Sequence, residues 1–495
     1  AWTDNTFSAA DITNEPDVGQ LYSQPTDIRY TIADRERTRD NAQLVLQFRP
    51  MDSLTGTLDY TYAQNDLEET RSEQSIWFLN GFDALTYDDS PVASPIVLSQ
   101  DVLPINGGNS KDLGLAQQAR GTSSTLESTG LNLSWDVTDN FSLTLDAHDS
   151  SAETTPDTSF GGSWVNFGMG ANIVAHQIGY FNDGLPRFVI DEFSDCVGIG
   201  DDEPRNDMNC NGEFDPGDVG SQVNQTTYSA QYNDVTQVRL VGDLAFDNGG
   251  FRFGIESRET ENRTEYSQTT DIMGNWALAR PGDVSDLLSL EDFPSEFDEY
   301  DASPAGNQSF GDVYIGSAVD LAERVSGYET QDDTYYIFDN GFAPAPLSTN
   351  DTVKEEVDAA FFEVNLDSEI GGMPTHVTAG VRYETTDVTS TSQVRQPTSI
   401  TWLSDDDFLR NYASANAEPY TVTASYDHLL PSFDFDINVL EDVKARFSYS
   451  KTIARPTYNN LSASTSVDQP SRPTINNPGT PNAIANANDP SLVPL

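Results

Sequence analysis

The sequence of 495 residues has no long hydrophobic run. No stretch of 18 or more apolar residues occurs, which excludes a transmembrane helix, because such a helix needs about 20 apolar residues to cross a bilayer. Basic residues are also scarce: 25 Lys and Arg stand against 80 Asp and Glu, which gives a formal net charge of −55. Nucleic acid is therefore excluded as a partner, because its recognition requires a basic surface.

Residues that carry enzyme chemistry are few. The chain has two cysteines and four histidines, His148, His176, His376 and His428. No histidine pair has zinc-ligand spacing, and the sequence has neither a serine nucleophile elbow nor a phosphate-binding glycine loop. We therefore predict that the protein is not an enzyme.

The clearest positive pattern is strict alternation of apolar and polar residues from position 433 onwards. Phe433, Phe435 and Ile437 fall on one face of an extended strand, and Asp434 and Asp436 fall on the other, because side chains alternate along a strand. After a break at 440–442 the pattern returns in mirror image. The two halves predict an antiparallel hairpin.

Closing this hairpin at 440–442 places Asp436 opposite Arg446 and Asn438 opposite Lys444, so that opposite charges meet across the strands. In a membrane barrel the apolar face contacts lipid and the polar face lines the lumen. The residues predicted to face lipid are Phe433, Phe435, Ile437 and Phe447. Those predicted to face the lumen are Asp434, Asp436, Lys444 and Arg446.

Four further hairpins show the same alternation around a short turn. The predicted turns are at 50–53, 137–140, 247–250 and 371–374. Long segments without alternation separate the hairpins and are interpreted as loops, at about 73–122, 150–233, 269–352 and 392–425. Alternating short turns and long loops indicate an outer-membrane β-barrel, whereas compact soluble domains rarely carry repeated loops of this length. We therefore predict an all-β, transmembrane antiparallel barrel, with a soluble β-protein as the alternative.

Two stretches resemble TonB-dependent outer-membrane receptors of the proteobacterial branch. Residues 426–461 are similar to a late barrel hairpin of that family, and residues 357–386 to another. The shared motifs are Leu430-Pro431-Ser432, Ala454-Arg455-Pro456, and Gly380 with Arg382–Glu384 and Thr386. We assign Arg455 only a structural role, because an Arg before Pro can anchor and end a strand.

The resemblance implies an energy-coupled receptor that imports a nutrient across the bacterial outer membrane. It implies a 22-stranded barrel of which residues 1–495, with about ten predicted strands, form a part, and it places the remaining strands and the plug that contacts the TonB complex outside this sequence. The cargo implied is an oligosaccharide or a ferric siderophore, and the barrel surface contacts outer-membrane lipid. A non-transporting surface barrel or adhesin with long acidic extracellular loops is the alternative.

Aromatic residues in the predicted loops are candidates for ligand contact, because aromatic faces beside Asp and Asn suit the stacking and hydrogen bonding of a sugar. Packing of the loops on one another is the alternative. The candidates are Trp77, Trp164, Tyr180, Trp276 and Trp402.

The predicted loop at 150–233 carries an insert at 196–218 with the spacing of a calcium-binding loop. Its predicted calcium ligands are Asp207, Asn209, Asn211, Glu213, Asp215 and Asp218. A solvated acidic turn is the alternative. Cys196 and Cys210 lie in the same insert and are predicted to form a disulfide in an oxidising exterior. The bridge would close a loop of about 15 residues, worth about 3 kcal/mol.

Overall fold

The architecture is taken from a computed structural model of the chain. It describes residues 9–23, 25–79, 81–105, 110–181, 185–193, 214–273, 281–297, 313–326, 336–337, 346–394, 397–404, 407–412, 417–440, 442–467, 485–488 and 492. No helix in these ranges is both long enough and apolar enough to cross a membrane.

The described residues are predominantly β-strand. The strands are β1 (Ala9–Thr13), β2 (Leu21–Tyr22), β3 (Asp27–Met51), β4 (Leu54–Trp77), β5 (Phe82–Tyr87), β6 (Val92–Ala93), β7 (Pro95–Asp101), β8 (Lys111–Thr138), β9 (Phe141–Pro156), β10 (Trp164–Tyr180), β11 (Arg187–Phe193), β12 (Val219–Phe246), β13 (Gly249–Met273), β14 (Ser289–Glu291), β15 (Val313–Ile315), β16 (Tyr336–Ile337), β17 (Thr349–Ile370), β18 (Met373–Val394), β19 (Pro397–Ser404), β20 (Asp407–Tyr412), β21 (Glu418–Leu440), β22 (Val443–Ser450), β23 (Thr465–Val467) and β24 (Ala485–Ala487). The helices are α1 (Val102–Ile105), α2 (Phe293–Glu296), α3 (Ala318–Ser326) and α4 (Tyr458–Leu461), with 3-10 turns at Pro216–Asp218 and Ser285–Leu287.

Ten of these strands form one continuous antiparallel sheet, in the order β3-β4-β8-β9-β12-β13-β17-β18-β21-β22. Each sequential pair closes on a short turn at the same end of the sheet, and all five predicted hairpins are confirmed. The turn between β17 and β18 is Gly371-Gly372, both with positive φ, as a two-residue hairpin turn that follows the twist of the strands requires.

The register of the last hairpin is as predicted. Asp436 pairs with Arg446 and Asn438 with Lys444, and the Lys444 Nζ lies 2.8 Å from Asp436 Oδ1. On the opposite face the rings of Phe433 and Phe447 pack with centroids 6.2 Å apart. The sequence alternation therefore separates the same two faces in three dimensions.

This separation extends across the whole sheet near the short turns. One face carries large exposed apolar side chains, which we call the apolar belt; the other is the polar face. One member of the belt from each of nine strands, all within eight residues of the short turn, is listed here: Leu46, Leu58, Trp135, Leu240, Ile255, Phe362, Val381, Phe433 and Phe447. Such a continuous exposed band is typical of a surface that contacts lipid.

Farther from the turns, the sheet is extended by β5, β7, β10 and β11, and α3 packs on the same face as the belt; we call these five elements the cap. Leu113 and Leu115 of β8 are buried there with Phe167 and Met169 of β10 and Leu321 of α3. Strand β10 extends the line of β9 in the sheet, because β8 pairs with β9 up to residue 122 and with β10 beyond it. Apolar side chains on this face are therefore buried in the cap and exposed in the belt.

The predicted loop boundaries require correction. The stretch at 150–233 is not a single irregular loop, because it contains the end of β9, all of β10 and β11, and the start of β12. The stretches at 73–122, 269–352 and 392–425 likewise contain strand residues. In β10 both faces are largely buried, although its apolar residues at 165–173 alternate with Asn and Gly in the sequence.

The sheet is not closed. Among the described residues, β3 pairs only with β4 and β22 only with β21. The all-β class and the antiparallel meander of a barrel are confirmed, whereas closure and the count of 22 strands stay predictions.

Candidate functional site

The polar face of the sheet carries a groove, a concentration of arginines and two of the predicted ligand aromatics, Trp77 and Trp164. Strand register carries one row of side chains across five neighbouring strands. This row consists of Arg39, Asn65, Ser124, Thr154 and Gln231. The Ser124 and Thr154 hydroxyls lie 3.0 Å apart, so adjacent members of the row are in hydrogen-bond contact.

The next row on the same face, two residues nearer the short turns, has an apolar centre between two amides. It consists of Asn41, Ala63, Leu126, Ala152 and Asn233. Together the two rows line a groove of about 460 Å³, which we call the amide groove. The buried Oδ1 of Asn233 accepts no hydrogen bond from any described residue.

Arginines are concentrated on the polar face of β3, β4 and β8. Six of the 25 basic residues lie there: Arg29, Arg35, Arg37, Arg39, Arg71 and Arg120. Three of the six are neutralised. Arg35 pairs with Glu69, and Arg29 and Arg71 both pair with Glu73. The other three form no ion pair with a described carboxylate, and the Arg37 Nε donates to Asn65 Oδ1 at the edge of the amide groove.

Two predicted ligand aromatics lie on this face. Trp164 is four residues above the upper row, about 13 Å along the strands, and its Nε1 donates to Gln118 Oε1 at 3.2 Å. Along the strands, Trp77 lies eight residues farther from the short turns than Trp164, a distance of about 26 Å. The Arg29 guanidinium lies 5.5 Å from the ring centre of Trp77. The two tryptophans therefore do not form one pocket.

The remaining predicted aromatics are less informative. Tyr180 ends β10 and pairs with Val97 and Arg187 in the cap. Trp402 lies on β19, a strand paired only with β20 among the described residues. Trp276 lies outside the described residues. Ligand contact by these aromatic residues stays a prediction.

Most of the predicted calcium loop also lies outside the described ranges. Asp207, Asn209, Asn211 and Glu213 fall there, as do Cys196 and Cys210, so the calcium site and the disulfide stay predictions. The two described ligands cap the 3-10 turn at Pro216–Asp218. Asp215 Oδ1 accepts from Gly217 N at 2.7 Å, and Asp218 Oδ2 accepts from Asp215 N at 2.9 Å. The described residues hold no cluster of three or more His, Cys, Asp or Glu suited to a metal ion.

His176, in the cap, contacts a serine hydroxyl and a carboxylate. His176 Nε2 lies 3.0 Å from Ser99 Oγ, and its Nδ1 lies 2.5 Å from Asp191 Oδ1. This resembles the order of a serine nucleophile, its base and an orienting carboxylate. However, the Ser99 hydroxyl donates to Asp83 Oδ2 at 2.5 Å, and a carboxylate there would repel a developing oxyanion. The geometry supports a structural clasp.

The charges of this clasp favour a protonated imidazole. Burial alone would lower the pKa of His176, but the hydrogen bonds and charges of Asp191 and Asp83 outweigh it and raise that pKa above its ordinary value. Burial alone would raise the pKa of Asp83, yet hydrogen bonds from Ser99, the Asp101 amide and His176 lower it. Opposite charges across three strands therefore stabilise each other in the cap.

A second feature of the polar face is a ladder of alternating charges that includes Arg455. In order, its members are Arg239, Glu256, Arg382, Glu384, Arg455 and Glu355. The segment after β22 folds back onto the polar face, and Arg455 joins it to β17 and β18. Leu461 then packs on Val353 and Val388. Arg455 thus has a structural role, but it anchors a returning segment and not the end of β22.

The arginines beside the amide groove were not predicted as site residues, although a signal was present. Arg35, Arg37 and Arg39 alternate in the sequence, and alternation with period two places them on one face of a strand. The other four residues of the upper row come from strands up to about 190 positions away. No local pattern in the sequence predicts their alignment.

Comparison with known proteins gives a family match over more than half of the chain. The family model for the TonB dependent receptor-like β-barrel matches residues 175–494. No curated protein matches the sequence. Among solved structures, the crystal structure of the siderophore receptor PiuA from Acinetobacter baumannii is similar with 10% identity and a TM-score of 0.31, over 88% of this chain and 50% of that chain. The chain therefore spans half the length of that structure, and so low a TM-score supports no inference about ligand.

Proposed function

Since the chain belongs to the TonB-dependent receptor-like β-barrel family, we propose that it is the barrel portion of an outer-membrane receptor that imports a nutrient. The observation that carries the proposal is the family match together with the two-faced sheet. An exposed apolar belt runs along one face near the short turns, and polar and charged side chains line the other. This is how a barrel divides lipid from lumen.

In this proposal the apolar belt contacts outer-membrane lipid, and the long-loop end of the sheet, with its cap, is extracellular. Energy reaches the receptor from the TonB complex through a plug domain, so the barrel needs no catalytic residue of its own. The cargo is an oligosaccharide or a ferric siderophore. A calcium ion in the 196–218 insert and a disulfide between Cys196 and Cys210 would stiffen the extracellular side.

Uptake measurements test the proposal. Cells with and without the receptor gene receive labelled neutral and acidic oligosaccharides and ferric siderophores, each in the presence and absence of a functional TonB. Uptake that requires both the receptor and TonB supports the proposal. If no such uptake occurs and the cells instead lose adhesion to surfaces when the gene is removed, the adhesin alternative is favoured.

A further inference from the structure

The amide groove combines neutral hydrogen-bonding groups with unneutralised positive charge. Its upper row offers one guanidinium, two amides and two hydroxyls, and its lower row offers two more amides around an apolar floor. The Arg39 guanidinium forms no hydrogen bond or ion pair with any described residue, and that of Arg37 lies at the groove's edge on Asn65. Arg39 can therefore contact a ligand without first breaking a contact within the chain, whereas Arg37 would exchange its hydrogen bond to Asn65 for one to the ligand.

The groove has few acidic neighbours, although the chain has 80 acidic residues. Among the residues lining the groove, Glu153 is the single acidic one. It lies between Ala152 and Thr154 on β9, so its side chain points to the opposite face. On the polar face the next acid up β4 is Glu69, which is held by Arg35. The local charge of the groove is therefore positive within a strongly negative protein.

From this arrangement we propose that the amide groove binds an anionic group of a polar small ligand, with Arg39 and Arg37 contacting the charge and the amides contacting neutral polar atoms. Guanidinium groups form charge-assisted, often bidentate hydrogen bonds to carboxylate, sulfate and similar oxyanions. The buried Oδ1 of Asn233, which lacks a described donor, accepts an N–H or O–H of the same ligand. The physiological identity of that ligand rests on the proposed transport function, but the binding itself does not.

Two sources of the anionic group fit the proposed cargo classes: a ferric tris-catecholate complex and a sulfated oligosaccharide. Their neutral counterparts are a ferric tris-hydroxamate complex and an unsulfated oligosaccharide of equal length. Binding of all four probes to the complete receptor, purified in detergent, is measured at equilibrium for the parent protein and for Arg39→Ala, Arg37→Ala and the double variant.

Arg49→Ala is the matched control. Arg49 also lies on β3, but it is ten residues closer to the short turn than Arg39 and donates to the Asp52 carbonyl oxygen, 3.1 Å from its Nε. Arg39→Lys keeps the charge and should retain part of the affinity, which guards against loss of folding as the cause. The resistance of the barrel to unfolding during gel electrophoresis verifies that each variant is folded.

We expect at least one anionic probe to bind, with affinity about tenfold weaker in each single variant and about a hundredfold weaker in the double variant, since a charge-assisted hydrogen bond contributes about 1.5–3 kcal/mol and 1.4 kcal/mol is tenfold. Arg49→Ala should bind as the parent does. The probe that binds identifies the source of the anion.

Equal binding of an anionic probe by the parent and the double variant would overturn the inference, as would the absence of binding by both anionic probes at millimolar concentration. Tighter binding of the neutral counterparts would do the same. Failure of the transport proposal looks different: the probe would bind in an Arg39-dependent way, but no TonB-dependent uptake of any cargo would occur.

Discussion

Removal of Arg455 is the sharpest test of how the polar face is organised. Its guanidinium lies between Glu355 and Glu384, whose side chains are only 6% and 7% exposed, while Arg455 itself is 22% exposed. It also donates to the Tyr426 hydroxyl at 3.1 Å. In Arg455→Met, Glu384 keeps Arg382 at 2.9 Å, but Glu355 loses the only ion pair that it has among the described residues.

The expected cost follows from breaking one side of a largely buried ion pair, which costs about 3–5 kcal/mol. We take the lower end, about 3 kcal/mol, because Arg455 retains some exposure to solvent. The loss acts on the docking of residues 451–467 onto the sheet, and at 1.4 kcal/mol per tenfold it raises the undocked population roughly 150-fold. The sheet itself should stay folded.

Hydrogen exchange of the complete receptor measures this population. The Lys451 amide, which donates to Pro431 O at 3.0 Å, and the Asn460 amide, which donates to Thr457 O at 2.9 Å, should exchange much faster in Arg455→Met. Arg446→Met is the control, since Arg446 is exposed on β22 and forms no ion pair with a described residue. Adding Glu355→Gln to Arg455→Met should restore part of the protection by removing the buried charge.

The reasoning fails if Arg455→Met exchanges at the parent rate at both amides. It also fails if Glu355→Gln gives no recovery, because the cost would then not come from an unpaired carboxylate. A double-mutant cycle over Arg455 and Glu355 isolates their coupling from other effects of the substitutions.

Three further predictions concern other parts of the molecule. Phe435→Arg in the apolar belt should destabilise the barrel by about 2–4 kcal/mol if the position lies near the bilayer midplane, and Asp436→Arg on the polar face should destabilise it far less. Equal urea midpoints of the two variants in lipid would contradict the assignment of the faces. The clasp around His176 should protect the amides of β10 and β11 best between pH 3.8 and pH 6.5, the ordinary pKa values of Asp83 and His176, because the clasp lowers the pKa of Asp83 and raises that of His176. Protection that is fully present below pH 6.5 should fade as the pH rises through the raised pKa of His176. In hydrogen exchange, His176→Gln should abolish this pH dependence, and an unchanged profile in that variant would refute the prediction. Calorimetric titration of the receptor with calcium should show one site that Asp207→Ala removes, and parent protein without calcium uptake would exclude the site.

The hairpins could be predicted because each strand near a short turn has one apolar and one polar face. The register of the last hairpin followed from closing it on the break at 440–442, which places Asp436 opposite Arg446. The upper halves of the strands could not be predicted in the same way. On β18 the polar residues Thr386, Ser390 and Ser392 are buried. Their backbone groups are paired within the sheet, and the segment that returns after β22 covers part of this face. Burial by distant parts of the chain leaves no local alternation to detect.

For the same reason the amide groove was not predicted from the sequence. Trp77 and Trp164 do lie on the polar face, where aromatic rings could meet a ligand, but their separation along the strands was not encoded locally. The amide groove depends on the register of five strands that the sequence lists far apart. Its arginines were visible as an alternating series in β3, yet their meaning depends on the absence of a facing carboxylate, which only the assembled sheet reveals.

The contrast between global and local charge has a physical consequence for any anionic cargo. A net charge of −55 repels an approaching anion at distances comparable to the Debye length, which is about 10 Å at 0.1 M salt. Once the anion is in the amide groove, the short-range attraction of Arg39 and Arg37 dominates. Added salt therefore speeds the encounter by screening the repulsion and shortens the residence time by screening the arginines. The two effects change the affinity in opposite directions. The acidic surface determines the association rate, and Arg39 and Arg37 determine the dissociation rate.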